Sequence, residues 1–255
     1  MALTPEGTPY VQSSDLVANY PAASLSLANR VDLVGVLPFA TSTARGTAIP
    51  SPTDGQYTYL QDTNTTQFWN GSAWQTAGLT PGLNLVTPTS IANSGGSASL
   101  TGSAVTLSGV TSVSLNGVFT STYENYRIIM TGTGTASQNL QMRFRIAGTD
   151  TTATNYAYQR LLVNGSTAGG SRTTSTQQLQ VGGVATGWAI NVLDLANPQM
   201  TSATTMRAYA GYSEAGAYMQ DATGAYSLTT SFDGFTYFPD AGTISGIIRV
   251  YGYQN

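Results

Sequence analysis

Few reactive groups are available for chemistry in this chain. It contains no histidine and no cysteine, and all nine of its basic residues are arginine. Serine–histidine–aspartate and cysteine–histidine triads are therefore excluded, as are the usual zinc sites. The missing lysine removes Schiff-base chemistry and phosphate-gripping lysines. What remains is carboxylate chemistry, chiefly glycoside hydrolysis by two acids about 5–10 Å apart. Of the twelve acidic residues, Glu214, Asp221, Asp233 and Asp240 fall in one stretch. Asp233-Gly234 and Asp240-Ala241-Gly242 have the composition of turns, in which aspartate hydrogen-bonds its own backbone. The expectation is a chain that is not an enzyme, with no catalytic residue and no cofactor. Calcium would suit the Asp, Asn and carbonyl oxygens best, but no Asp-x-Asp-x-Asp-Gly loop is present, and no metal site is assigned.

Two groups of residues have the chemistry of recognition instead. Arg143 and Arg145 share one face of an expected strand, a spacing that could grip acidic sugars or phosphates bidentately. The same pair could equally protect a sheet edge or meet acids on a neighbouring strand. Tyr209 and Tyr212, with Tyr218 and Tyr226 beyond them, supply rigid amphipathic surface suited to saccharides or to a partner subunit.

Composition narrows the class of protein. Hydrophobic residues make up 41 % of 255 residues, enough for a packed core, whereas charged residues are only 8 %. An average globular chain carries about 25 %. Ser, Thr, Asn, Gln and Gly must furnish the polar surface, and these favour strands and turns over helices. A net charge of -3 argues against a nucleic-acid partner, which requires a dense basic surface. Low charge also leaves little repulsion between copies, so an oligomer is expected. No basic-then-apolar leader and no apolar run of about 20 residues is present, which predicts cytoplasmic synthesis without membrane insertion. The Asn-x-Ser/Thr triplets at Asn64, Asn70 and Asn164 are expected by chance in so hydroxyl-rich a chain.

The elements that would position these groups follow from spacing. Ser13-Ser14-Asp15 can cap a helix, and Pro21 can open a second helical stretch over 21–35, ended by Gly35 and Pro38. There Leu27, Val31 and Val34 form an apolar stripe too short to stand alone. It either packs on the chain's own β domain or joins a bundle of three copies. Residues 40–54 read as a linker. Residues 52–77 read as a small sheet of about three strands, with a two-residue turn at Asn70-Gly71 that sets Trp69 across from Trp74. Beyond Thr80-Pro81-Gly82, roughly ten alternating segments recur with no convincing helix. Among them Ile128-Ile129-Met130 reads as a strand buried on both faces. No fixed-period repeat occurs, so a sandwich is expected rather than a β-helix.

Three stretches resemble a known class. Thr8-Pro9-Tyr10-Val11-Gln12-Ser13-Ser14-Asp15-Leu16-Val17-Ala18-Asn19-Tyr20-Pro21, running on into Ser24-Leu25-Ser26-Leu27-Ala28-Asn29, resembles the N-terminal region of minor tail proteins and tail fibres from phages of actinobacteria. Pro52-Thr53-Asp54-Gly55 with Trp69-Asn70-Gly71-Ser72-Ala73-Trp74 is similar to a small β module that recurs after it. Ile244-Ser245-Gly246-Ile247-Ile248-Arg249-Val250-Tyr251-Gly252-Tyr253 is similar to the last strand of such C-terminal domains. The resemblance implies a particle subunit, commonly trimeric, anchored through its N-terminus. None of these motifs carries a catalytic or ligand residue.

The expected fold is mainly β: a short N-terminal helical segment, a small β-hairpin module, and a C-terminal antiparallel β-sandwich of jelly-roll type. The expected boundaries are 1–39 for a particle-anchoring segment, 40–80 for linker and β module, and 81–255 for the sandwich. The expected function is a virion structural protein on the particle surface: a homotrimeric tail fibre or minor tail protein contributing to host attachment. It would contact other virion proteins through its N-terminal segment and host envelope glycans through its sandwich. The alternative is a capsid-decorating or head-fibre protein, and last a polysaccharide depolymerase. Leu27, Val31 and Val34 are the candidate trimer or anchor contacts, and Arg143, Arg145, Tyr209 and Tyr212 the candidate glycan contacts.

Overall fold

The computed structural model describes residues 2–3, 9–10, 21–22, 24–27, 35–78, 82–213 and 217–254. The chain divides into two compact units, Met1–Thr80 and Pro81–Asn255.

In the first unit, β1 (Ala2–Leu3) pairs antiparallel with β2 (Pro9–Tyr10). Residues 21–22 and 24–27 are helical, in keeping with the start expected at Pro21. Leu27 is 42 % exposed, while Val31 and Val34 lie outside the described residues. There follow β3 (Val36–Phe39), α1 (Ser42–Ala48), β4 (Tyr57–Leu60), β5 (Thr65–Trp69) and β6 (Trp74–Thr76), with the strands ordered β3-β4-β5-β6. Pro38, expected to terminate a helix, instead sits in β3, an edge strand where its missing N–H costs no ladder bond.

The expected linker at 40–54 carries a helix. β3 and β4 are parallel, and parallel neighbours need a crossover of a dozen residues or more. Thr41 caps α1 by accepting the amide of Ala44 at 3.1 Å. Arg45, the only buried residue of α1, donates to Gln67 and lies 4.3 Å over the Trp74 ring. A guanidinium thus replaces the apolar stripe by which helices usually announce themselves.

The hairpin from Trp69 to Trp74 forms, with their rings 5.6 Å apart and edge-on. Its loop spans four residues rather than two. Asn70 Oδ1 accepts the amides of Ser72 and Ala73, at 3.1 and 2.9 Å, and Gly71 takes a positive φ of 89°.

The second unit is one curled antiparallel sheet. Its strands are β7 (Leu83–Val86), β8 (Ser90–Thr101), β9 (Ala104–Asn116), β10 (Asn125–Gly134), β11 (Gln138–Ile146), β12 (Thr149–Asp150) and β13 (Tyr156–Asn164). They continue with β14 (Thr167–Thr176), β15 (Leu179–Val184), β16 (Ala189–Ala196), β17 (Thr204–Ser213), β18 (Ala217–Tyr226), β19 (Gly234–Pro239) and β20 (Ile244–Tyr253). The sheet runs β12-β11-β19-β9-β20-β10-β16-β17-β18-β13-β14, with β15 on β11, β7 on β20 and β8 on β9. Fourteen strands replace the roughly ten expected, because several short or Gly-rich segments carry too little alternation to read alone.

Curling closes the sheet into a sandwich over one core. Phe144 of β11 stacks on Tyr156 of β13 at 5.8 Å and on Phe232 at 4.6 Å. The Tyr156 hydroxyl accepts the amide of Phe144 and donates to the carbonyl of Thr151, each at 3.0 Å. Burial, opposed in part by the Phe144 amide, pushes the pKa of this hydroxyl well up. The alternation read from sequence holds: Val105, Leu107, Val113, Leu115, Met142 and Phe144 are all buried. The run Ile128-Ile129-Met130 is different. Ile128 and Met130 are buried, but Ile129, on the other face opposite Val192, is only half-buried. That strand has one open face.

Candidate functional site

Outward-facing residues of β20, β10, β16, β17, β18, β13 and β14 fall into register as continuous rows, because antiparallel pairing places partners directly opposite. One row runs Tyr251, Arg127, Asp194, Arg207, Thr223, Gln159, Arg172. The adjacent row holds Ala196, Thr205, Ala225 and Ala157, with Asn125 and Tyr253 at one end. Small side chains beside long ones leave a trough that crosses the strands.

Three shallow depressions make up this trough. One of 460 Å³ is lined by Tyr253, Asn125, Asp194, Arg207, Thr205 and Thr223 among others. A second, of 600 Å³, shares Arg207 and Thr223 and adds Gln159, Leu161 and Asp221. A third, of 300 Å³, shares Thr205 and Thr223 and reaches Arg172. Such volumes lie in the range of small-ligand sites.

The charges in the trough are ordered. Arg127 grips Asp194 with two nitrogens, Nε at 2.7 Å and a terminal nitrogen at 2.8 Å. Tyr253 donates its hydroxyl to the same carboxylate at 2.7 Å, and the Arg127 guanidinium lies 5.6 Å from the Tyr253 ring. Partial burial alone would raise the Asp194 pKa, but hydrogen bonds from Arg127 and Tyr253 outweigh it and hold the carboxyl below its ordinary range. Partial burial, then the bond to Asp194, pushes Tyr253 up to about 12. The hydrogen bond to Asp194 raises Arg127 further. Arg207 meets Asp221 at 3.0 Å, with both side chains exposed.

Two arginines of the same face have no such partner. Arg172 is exposed at the β14 end, and Arg249 lies outward on β20 beside Ile129. Neither side chain makes a hydrogen bond or ion pair among the described residues. The face therefore carries four guanidinium groups against the two carboxylates Asp194 and Asp221, within a chain of net charge -3.

The residues singled out from sequence do not form one site. Tyr209 lies on this face, opposite Asp221 and 47 % exposed. Tyr212 points to the other side of β17, stacks on Tyr218 at 5.0 Å, and lines a separate 300 Å³ cleft with Asn139 and Arg160. Arg145 is held in the fold, donating to Asn116, Ser114, Thr236, Asp150 and the Gly148 carbonyl. Arg143 bonds Gln178 at 3.1 Å and lies 4.8 Å over Phe238.

Most of the acids considered for catalysis serve the architecture. Asp233 accepts the amide of Ala147, Asp240 accepts the amide and side chain of Asn139, and Asp221 meets Arg207. Glu214 lies outside the described residues. Arg127, Asp194, Arg207, Thr223, Gln159, Arg172 and Tyr253 went unread in the sequence. Their only signal was strand parity, which says nothing about which strands are neighbours.

No protein-family model matches the chain, and no curated protein matches it. Among the described residues no group of three or more acidic side chains is placed to hold a metal ion. No helix among them is long and apolar enough to cross a membrane.

Proposed function

We propose that this chain is a virion structural protein of the tail-fibre or minor-tail type, homotrimeric, without enzymatic activity. Its sandwich contributes to host-surface attachment. The observation that carries the attachment role is the open trough on β16, β17, β18 and β13. A shallow, charge-paired surface suits an extended ligand held along its length, whereas catalysis favours a site that excludes water. Placement on a particle rests on the resemblance of residues 8–29, 52–74 and 244–253 to phage tail proteins. Assembly into a trimer is supported by low charge and by β8, a twelve-residue edge strand without a charged side chain. Such an edge is open to pairing with another chain.

Immunogold labelling with an antibody against residues 81–255 tests the placement. Label at the tail is the expected result. Label on the heads would replace the tail role by capsid decoration, and unlabelled intact particles would end the virion reading. Light scattering at micromolar concentration tests the trimer, and a stable monomer mass would refute it.

A further inference from the structure

We infer that the trough binds an acidic saccharide chain bearing carboxylates, with Arg172 as the guanidinium that receives one of them. The inference deepens the attachment role proposed above and rests on it for the ligand's origin. From β20 to β14 the trough crosses six strand spacings of ~4.8 Å, about 29 Å in all. That length suits several sugar rings in line rather than one small molecule.

The chemistry along it is divided. At one end Tyr253 offers an aromatic ring, rigid amphipathic surface of the kind saccharides rest on. In the middle, Thr205 offers a hydroxyl, Thr223, whose hydroxyl donates to the Met206 carbonyl, still accepts, and the Arg207–Asp221 pair offers donors and acceptors that are already neutralised. A polymer of hydroxyls can exchange bonds with such a pair without stranding a charge. At the far end Arg172 is exposed, lines the trough, and has no acid to meet among the described residues. A planar guanidinium without a partner takes a carboxylate bidentately.

Charge alone does not account for the arrangement. Arg249 is equally unpaired and on the same face, yet it lies outside the lining of all three depressions. The two arginines therefore separate a fitted site from general attraction.

The test uses the full chain and calorimetric titration with three polymers: polygalacturonate, neutral dextran and inorganic polyphosphate. Polygalacturonate is expected to bind, and the other two to bind at least tenfold more weakly. Arg172→Gln should weaken polygalacturonate binding about tenfold, the loss of one charge-assisted contact, and Arg249→Gln less than twofold. Both side chains lack partners, so neither change threatens folding, and thermal melting confirms it. Dextran binding as well as polygalacturonate would overturn the acidic specificity. Polyphosphate binding as well would reduce the site to charge. Equal losses in the two variants, or no binding at all, would also overturn the inference. None of these outcomes depends on where the protein sits, so immunogold labelling can fail or succeed separately.

Discussion

Tyr253 donates its hydroxyl to Asp194 across 2.7 Å, onto a carboxylate that Arg127 already holds with two nitrogens. The three side chains come from β20, β16 and β10, so this cluster ties the last strand of the chain to the middle of the sheet.

A pH dependence with two arms follows. The Asp194 pKa lies below its ordinary value of 3.8, so its contribution to stability is present above that pH and is lost as pH falls through the depressed value. Tyr253 is raised from 10.0 to about 12, so its contribution is full below pH 10 and is lost as pH rises towards 12. Asp194→Asn should cost about 1 kcal/mol at neutral pH, the worth of a partly exposed pair. It should also bring phenolate absorbance in on alkaline titration at lower pH than in the parent, and the change should vanish when Tyr253→Phe is added. An unchanged titration would mean the hydroxyl does not sense the carboxylate.

Arg45 fastens the crossover helix to its sheet through Gln67 and Trp74. Arg45→Ala should destabilise the first unit by about 1–3 kcal/mol, as a charged hydrogen bond and a cation–π contact go together. Arg45→Lys should not restore it, because the ammonium cannot lie flat on the indole. Denaturation followed by tryptophan fluorescence reports this directly; parent-like stability in Arg45→Ala would refute it.

Gln220 is 1 % exposed, and neither its amide nitrogen nor its oxygen has a hydrogen-bond partner among the described residues. A buried amide left without partners costs about 1–3 kcal/mol. Gln220→Met, close in volume, should therefore raise the midpoint of chemical denaturation. A lower midpoint would show that a buried water satisfies the amide.

Gly132 of β10 faces Gly246 of β20. A Cβ on Gly132 would stand 2.0 Å from the Ser245 carbonyl oxygen, and one on Gly246 would stand 2.1 Å from that of Thr131. Gly132→Ala should force the two strands apart at a cost of about 2–3 kcal/mol. Gly46→Ala, in α1 with nothing within 4 Å, should be neutral or stabilising by up to about 1 kcal/mol. Melting temperatures of the two variants compare them, and equal melting temperatures would refute the close-approach explanation.

Much of the β architecture was legible because alternation is local. Each of Val105, Leu107, Val113 and Leu115 announces its face through its immediate neighbours, and Trp69 with Trp74 announces a hairpin through the Asn-Gly between them. Helix α1 was not legible. Ser-Thr-Ala-Arg-Gly-Thr-Ala has weak helix propensity, and its docking residue is a charged one that pattern reading assigns to solvent.

The sequence by itself determined that the chain is β-rich and has no histidine, cysteine or lysine to offer, because residue identity and period-two alternation need no fold to be read. Only the tertiary structure decided which outward side chains meet. Arg127 and Asp194 are 67 residues apart, and Tyr253 and Asp194 are 59 apart. Those distances close only when β10, β16 and β20 become neighbours, a choice made by burying their inner faces in one common core. The same choice left Arg143 and Arg145 on one side of the unit and gathered the trough on another.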